Sequence, residues 1–174
     1  NGFAGSSELR KALMAFKSSG KFIIGYGDYI SQKAYYVASV ANKIYCHPKG
    51  MFEWQGMSVE YMFFKNLIDK LEIKPQIFYA GKFKSASEPF RLDKMSDENK
   101  VQMKELLSDI SNSVFSSIAA DRKINLENLN LAINELRTSM PEDALSSGLI
   151  DKITYLDEAE RELKSLMKLG EKTE

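Results

Sequence analysis

The sequence is poor in the residues that hold metals and disulfides, and it carries no net charge. A single cysteine, Cys46, and a single histidine, His47, exclude an intramolecular disulfide and a zinc site of the usual four-ligand spacing. The 24 basic residues balance the 24 acidic residues, so no net field attracts nucleic acid or an anionic membrane surface. We therefore expect no metal, no cofactor and no nucleic-acid partner.

Long apolar runs are also missing. No stretch reaches the roughly twenty apolar residues that a membrane-spanning helix needs. The chain starts without methionine, in the glycine-rich stretch Asn1-Gly2-Phe3-Ala4-Gly5, which leads directly into a predicted helix. We expect residues 1–174 to form a single domain, excised from a longer protein, with any membrane anchor outside this sequence. A chain of 174 residues is long enough to bury a sizeable core.

Short apolar segments alternate with helical patterns in the first half of the chain. Apolar runs at 22–26, 44–46 and 76–79 predict strands, of which the second is stopped by Pro48 and Gly50. Helices are predicted at three places: after Ser6 or Ser7 with an apolar stripe of Leu9, Leu13 and Phe16, over 31–41, and from Ser58 through Leu71. This alternation predicts an α/β domain with a parallel sheet.

The second half is predicted to be mainly helical. Its helices are expected over 97–120, 126–136, 141–146 and 157–169. Ser96 is the expected cap of the first of them, with Asp97 and Glu98 in the first turn, where the helix dipole favours negative charge. A turn at Gly148 leads into a last short strand that ends at Ile153.

One loop between a predicted strand and the long helix has a composition that suits chemistry. It is Ala80-Gly81-Lys82-Phe83-Lys84-Ser85-Ala86-Ser87-Glu88-Pro89-Phe90. A lysine that apolar neighbours desolvate has a lowered pKa, so the neutral amine of Lys84 could accept a proton while Ser85 orients it. A lysine-rich loop is also typical of a solvated surface, and the residues alone leave both interpretations open.

The same run resembles the G-x-[YF]-K-S-A-x-E-P-F segment of the signal peptide peptidase A (protease IV) family, peptidase family S49. The resemblance places Lys84 on the catalytic lysine of that family. Further matches follow in the same order and cover most of residues 1–100, namely 20–28, 34–39, 41–45, 48–50, 64–71 and 92–96. They are similar to the N-terminal half of the double-length family members. The resemblance implies a ClpP/crotonase-like fold of repeated ββα units with a helical C-terminal portion.

The nucleophile of that family has no counterpart here. The serine-bearing half carries S-G-G-Y-[YW], whereas this chain has Ser31-Gln32-Lys33-Ala34-Tyr35-Tyr36, so that Gln32 occupies the place of the serine. We interpret Ser31, one residue out of register, as a helix cap, because serine is favoured there and a one-residue shift turns the side chain by about 100°. The resemblance therefore implies that the nucleophile lies in a second domain.

Gly2 and Phe3 are weak candidates for an oxyanion site. They occupy a stretch where other family halves have an N-S-P-G-G-like turn, but a simple turn before a helix explains them equally well. Cys46 and His47 are adjacent in a predicted strand and point to opposite faces, which argues against a Cys/His pair. A set of aromatic and methionine residues is expected in the core or in a subunit contact, with an apolar substrate groove as the alternative, namely Tyr26, Met51, Phe52, Trp54, Met57, Tyr61 and Met62.

The resemblance implies a serine/lysine endopeptidase in which Lys84 is the general base. Its expected substrates are hydrophobic signal peptides already cut from exported proteins. The whole enzyme is then an oligomer anchored in the bacterial cytoplasmic membrane, with this domain on the periplasmic side. The isolated chain is expected to be inactive. The alternatives are a non-catalytic scaffold half and a crotonase-like acyl-CoA enzyme, although no thioester-binding amide pair or CoA groove is evident.

Overall fold

A computed structural model describes residues 2–134 and 140–167 of the chain. Its elements, in order, are α1 (Phe3–Ser18), β1 (Ile24–Ile30), α2 (Gln32–Ala38), β2 (Lys43–Phe52), α3 (Lys65–Lys70), a short 3₁₀ helix (Ser85–Ser87), α4 (Glu88–Arg91), α5 (Asp97–Arg122), α6 (Leu126–Asn134), α7 (Pro141–Ser146), β3 (Lys152–Ile153) and α8 (Leu156–Leu166). Residues 135–136 and 168–169, which were predicted to be helical, lie outside the described residues, as does Asn1. The fold is a mixed α/β fold, as predicted, with a small parallel sheet and many helices.

The chain forms two compact units. The first unit consists of Asn1–Gly56 and Val114–Glu174, and the second unit consists of Met57–Ser113. The sheet belongs to the first unit, whereas the segment 80–90 with Lys84 belongs to the second. Helix α5 contributes its N-terminal part to the second unit and its C-terminal part to the first.

The sheet has three parallel strands in the order β1-β2-β3. Strand β1 begins two residues later than predicted and is only half-buried over most of its length. The prediction that Pro48 and Gly50 stop β2 is wrong, because β2 continues to Phe52 through a bulge. Gly27 pairs with Cys46 and Tyr29 with Met51, so four residues of β2 face one residue of β1. A bulge tolerates a proline because the ladder is already interrupted there.

Aromatic side chains form the centre of the first unit. Trp54 is 1% exposed, and its ring centroid lies 5.7 Å from that of Tyr35 and 5.0 Å from that of Phe115. Tyr35 also meets Phe52 edge to face at 4.9 Å. Such contacts bury large apolar area in favourable ring geometries. The core interpretation is therefore confirmed for Phe52 and Trp54, whereas Met51, Tyr61 and Met62 of the same predicted set are exposed.

Helix α1 differs from its prediction in its start and in its buried face. It begins at Phe3, with Gly2 as the extended N-cap residue, and not after Ser6 or Ser7. Its buried residues are Ser6 and Arg10, whereas Leu9 and Phe16 of the predicted stripe are exposed. Arg10 donates to the carbonyl of Tyr36 (2.5 Å) and to Ser39 Oγ (2.7 Å), and it pairs with Asp121 at 2.6 Å. The Arg10–Asp121 ion pair, which local sequence patterns cannot predict, therefore determines which face of α1 is buried.

Two predicted elements of the second unit are wrong. Residues 76–79 form no strand, since no described strand pairs with this segment, and Phe78 is 94% exposed. The helix expected from Ser58 is restricted to α3, and residues 57–64 are irregular. Met62 of the expected stripe is 74% exposed, so the stripe lacks the packing that stabilises most protein helices.

Candidate functional site

The lysine segment is a tight turn at the surface of the second unit. Gly81 has a φ of +95°, a conformation that side-chain-bearing residues rarely adopt, and its carbonyl accepts a long bond from the Lys84 N–H at 3.4 Å. The 3₁₀ helix Ser85–Ser87 follows immediately and runs into α4, which has Pro89 in its first turn. The turn thus lies between Gly81, which permits the left-handed backbone conformation, and Pro89, whose ring fixes φ.

Lys84 and Ser85 lie side by side in this turn, but their side chains do not meet partners. The Lys84 side chain is exposed, and within the described part of the chain its amino group makes no hydrogen bond or ion pair. Ser85 is half-buried, and its hydroxyl likewise has no partner among the described residues. The desolvation that a general-base lysine requires is therefore not provided by the described residues alone. The roles assigned to both residues stay predictions.

A buried glutamate anchors the turn. Glu88 is 2% exposed, and its carboxylate accepts hydrogen bonds from the Ser96 N–H (3.2 Å), from the Ser96 hydroxyl and from Asn99 Nδ2 (2.9 Å). The backbone N–H of Glu88 donates to the carbonyl of Ser85, and its carbonyl accepts from the N–H of Leu92 at 2.8 Å. One residue therefore connects the lysine turn, α4 and the start of α5.

The Glu88 carboxylate stays ionised in this buried place. Burial by itself would raise its pKa, but the hydrogen bonds from Ser96 and Asn99 and the nearby charge of Arg91 together hold the pKa of Glu88 below its usual value. Helix α5 begins directly beyond Ser96, whose hydroxyl also accepts from the N–H of Asn99 at 3.2 Å. The positive end of the dipole of this 26-residue helix adds to the stabilisation of the carboxylate.

Aromatic side chains and a small cavity surround the turn. Arg91 stacks on the ring of Tyr79 at 3.9 Å, and the rings of Phe64 and Phe90 stack at 5.9 Å. Phe83, next to Lys84, is 56% exposed. A cavity of about 380 Å³ opens beside them, lined by Tyr79, Gly81, Lys82, Glu88, Arg91, Leu92, Ser96 and Glu98. The surroundings of the turn therefore combine apolar surface with charge of both signs.

Gln32, in the predicted place of the nucleophile, holds a neighbouring turn of the backbone through hydrogen bonds of its side-chain amide, an arrangement called here the Gln32 clamp. Its Nε2 donates to the carbonyl of Gly56 at 3.0 Å, and its Oε1 accepts from the N–H of Gly56 (2.9 Å) and of Gln55 (3.2 Å). Gly56 has a φ of +82°, so this turn depends on a residue without a side chain. The amide is thus a structural group of the first unit.

Ser31 is a helix cap, as interpreted from the sequence. Its backbone is extended, and its hydroxyl accepts a hydrogen bond from the N–H of Ala34 at 3.2 Å at the start of α2. The hydroxyl is therefore engaged in capping the helix, which is unlike the free hydroxyl of a nucleophile beside a base. The predicted position of the nucleophile is occupied by Gln32, so it offers no serine hydroxyl either.

Gly2 and Phe3 mark the N-terminus of α1 in the first unit. Gly2 is the N-cap residue, and its carbonyl accepts from the N–H of Ser6 at 3.4 Å. The ring of Phe3 lies under the Lys33 Nζ at 5.8 Å and edge-on to Tyr36 at 6.4 Å. The structure thus brings the weak oxyanion candidates beside α2, which carries Gln32. Their role in binding an oxyanion stays a prediction.

Cys46 and His47 do not form a catalytic pair. Cys46 is buried, and burial raises the pKa of its thiol, which makes it a poor nucleophile. His47 Nδ1 accepts a hydrogen bond from the N–H of Lys49 at 3.0 Å, and its ring packs against Tyr155. Among residues 2–134 and 140–167, no group of acidic, cysteine and histidine side chains is arranged to hold a metal ion.

Glu88 and Asn99 were not assigned a role by sequence reasoning, and Ser96 was predicted only as a helix cap, although Glu88 lies within the quoted motif. The available signal was a glutamate placed before Pro89, eight residues ahead of the serine that caps the long helix. An acid at such a spacing can fold back on the helix start, where unpaired N–H groups favour negative charge. Local patterns give no measure of its burial.

Comparisons with known proteins place the chain among peptidases. The sequence model described as peptidase family S49 matches residues 15–170. The chain is 36% identical over 154 residues to Protease 4 of Haemophilus influenzae, which covers 84% of this chain and 25% of that protein. It is 32% identical over 162 residues to Protease 4 of Salmonella typhi, covering 89% of this chain and 26% of that protein.

A plant relative shows the same pattern. The chain is 29% identical over 161 residues to the chloroplastic serine protease SPPA of Arabidopsis thaliana, which covers 90% of this chain and 23% of that protein. The chain therefore spans about a quarter of the length of each of these three relatives. In the described parts of the chain, no helix has both the length and the apolar character needed to cross a bilayer.

Proposed function

Because the chain belongs to peptidase family S49, we propose that it is the lysine-bearing, N-terminal half of a serine/lysine endopeptidase. Lys84 acts as the general base of this enzyme, and Ser85 helps to orient its amine. The serine nucleophile lies in a second domain of the same protein. The active site forms where the two domains meet in a homo-oligomer, so the chain alone hydrolyses nothing.

The reaction in this proposal is amide hydrolysis through an acyl-enzyme. The neutral amine of Lys84 takes the proton from the serine hydroxyl as its oxygen attacks the peptide carbonyl. The resulting ammonium returns that proton to the leaving amine when the C–N bond breaks. Water, activated by the same amine, then attacks the ester, and the proton passes back to the serine oxygen as the acid product leaves.

The finer features of the proposal come from the family resemblance. The substrates are hydrophobic signal peptides that remain after cleavage from exported proteins. The full protein is anchored in the bacterial cytoplasmic membrane, with the peptidase on the periplasmic side. Its fold is of the ClpP/crotonase type. The family model that matches the chain is a model of peptidases, which argues against an acyl-CoA enzyme.

The observation that carries the proposal is the construction of the lysine turn. The turn presents Lys84 to solvent, beside the exposed ring of Phe83, while Glu88 holds it from inside the second unit. An exposed lysine becomes a base only when another surface covers it and removes water, because desolvation disfavours the ammonium form. A second domain docked over Phe83 would supply such a surface.

A scaffold half is the second candidate, and one observation favours it. Several large apolar side chains of the second unit are exposed, namely Leu67, Leu71, Ile73, Phe78 and Phe83. Exposed apolar surface of this kind is typical of a contact with another protein surface. In that case the second unit builds the oligomer, and Lys84 has no chemical role.

Peptide hydrolysis by the full-length parent protein distinguishes the two candidates. We expect Lys84→Met to lower kcat by about 10²- to 10⁴-fold, the contribution of a general base, with the oligomer intact by light scattering. Lys82→Met is the matched control, because Lys82 is an exposed lysine of the same turn. Near-normal activity of Lys84→Met would leave the scaffold as the better account.

A further inference from the structure

Glu88 is a buried acid that the proposed reaction does not use. It follows Lys84 by four residues and is 2% exposed. A buried carboxylate is unfavourable unless several donors replace its water. Here Ser96 supplies its N–H at 3.2 Å and its hydroxyl, and Asn99 supplies Nδ2 at 2.9 Å. The fold has therefore provided three donors for one negative charge.

These donors belong to the first turn of α5, the longest helix described in the chain. Ser96 precedes the first helical residue, and Asn99 lies in the first turn. Helix N-termini carry unpaired N–H groups and a partial positive charge, so they hold an anion in a defined place. The Glu88 carboxylate is thereby fixed to a rigid element.

The backbone of Glu88 transmits this position to the lysine turn. Its N–H donates to the carbonyl of Ser85, the residue that directly follows Lys84. Lys84 is the N-cap residue of the 3₁₀ helix that runs into Glu88, whereas on the other side its N–H makes a long bond to the carbonyl of Gly81, at 3.4 Å. The direction of the Lys84 side chain therefore depends mainly on the C-terminal side of the turn, where Glu88 is clamped.

We propose that Glu88 is a positioning residue for Lys84, acting through its carboxylate clamp on Ser96 and Asn99. The inference rests on the proposed function, in which Lys84 is the general base. The clamp sets the direction in which the Lys84 side chain leaves the turn. A base that is displaced by about 1 Å loses roughly a hundredfold in rate, so the clamp affects turnover more than substrate binding.

The test is steady-state kinetics of the full-length parent protein carrying Glu88→Gln, which keeps the size of the side chain and removes its charge. We expect kcat to fall by about 10- to 100-fold while KM changes less than about twofold. The thermal midpoint and light scattering report whether the protein is folded and assembled. Glu105→Gln is the matched control, since Glu105 is an exposed glutamate on α5.

A swapped pair separates positioning from mere structural support. Asn99→Asp, added to Glu88→Gln, moves the carboxylate to the other partner, and the introduced amide donates to it across the same contact. The new acid stays in the first turn of α5, where the helix dipole favours it. We expect the swapped pair to recover part of the lost kcat, because the charge is kept within the contact while the Ser96 donors stay directed at residue 88.

Three results would overturn the inference: unchanged kcat in Glu88→Gln, an equal loss in Glu105→Gln, or no recovery in a folded swapped pair. The activity of Lys84→Met tests the proposed function separately. If Lys84→Met is inactive and Glu88→Gln is fully active, only the positioning role fails. If Lys84→Met is active, the proposed function fails, and the positioning role fails with it.

Discussion

Replacing Gln32 by serine restores the residue type of the family nucleophile, and we expect it to weaken the fold without creating activity. Gln32 makes three hydrogen bonds to the backbone of Gln55 and Gly56, between 2.9 and 3.2 Å. A serine side chain is too short to make the same contacts. The chain therefore loses a clamp on the turn at Gly56, which has a φ of +82°.

The magnitude follows from which of these bonds water can replace. Gln55 is exposed, so water satisfies its N–H once the glutamine amide is gone. The N–H and the carbonyl of Gly56 are part-buried, and each lost bond there costs about 0.5–1.5 kcal/mol. We expect Gln32→Ser to lower the free energy of unfolding by about 1–3 kcal/mol. For a chain of this size the melting temperature then falls by about 2–12 °C.

Urea unfolding followed by the fluorescence of Trp54 measures this loss, because Trp54 is buried in the same unit. Gln55→Ser is the matched control, since it makes the same chemical change at an exposed position and keeps the backbone N–H. Peptide hydrolysis is measured on the same samples and is expected to be absent in all of them.

A charged variant at the same position tests the direction in which stability changes with pH. Gln32→Glu places a carboxylate against the carbonyl of Gly56, so the pKa of the introduced carboxyl is raised in the folded state. The protonated form can donate to that carbonyl, and the stability deficit relative to Gln55→Glu should shrink as the pH falls from 7 toward about 4.5. A deficit that grows over this range, or equal stabilities of Gln32→Ser and Gln55→Ser, would refute the clamp.

Two further predictions concern buried charges. Because the pKa of Glu88 is lowered in the folded state, its contribution to stability is present above the unfolded-state pKa and is lost as the pH falls through the folded-state pKa. Glu88→Gln should therefore reduce the loss of stability at acid pH, measured by thermal melting as a function of pH. An unchanged loss at acid pH contradicts this. Arg10→Met leaves the Asp121 carboxylate without its buried partner and should cost about 3–5 kcal/mol in urea unfolding. Lys11→Met, at an exposed neighbouring position, serves as its control and should change little.

The candidate site could be proposed from the sequence because its motif is contiguous. Gly81, Lys84 and Pro89 lie within ten residues, and local chemistry sets the turn between them. The cap at Ser31 was equally predictable, because its hydroxyl bonds to an N–H three residues away. The hydrogen bonds that hold Glu88 could not be predicted, since the chain must fold back to bring Glu88 to Asn99, 11 residues further along.

What the sequence determined by itself is local structure: the order of helices and strands over residues 3–52, the start of α5 after Ser96, the extent of α7 from Pro141, and the lysine turn. These features depend on caps, turns and periodicities whose energies act within a few residues. They also carry the family resemblance, because its motifs are short continuous runs.

Only the tertiary structure decided which faces are buried and which segments remain irregular. The buried face of α1 is the one that carries Arg10, because Arg10 pairs with a residue 111 positions away. Strand β2 continues beyond Pro48 because it pairs with β1 on both sides of the bulge. The strand predicted around Phe78 does not form, because no described strand pairs with that segment, and Phe78 is exposed. The physical reason is common to all three. Burial and strand pairing are interactions between distant segments, and they outweigh local propensities of a few tenths of a kcal/mol to about 1 kcal/mol per residue.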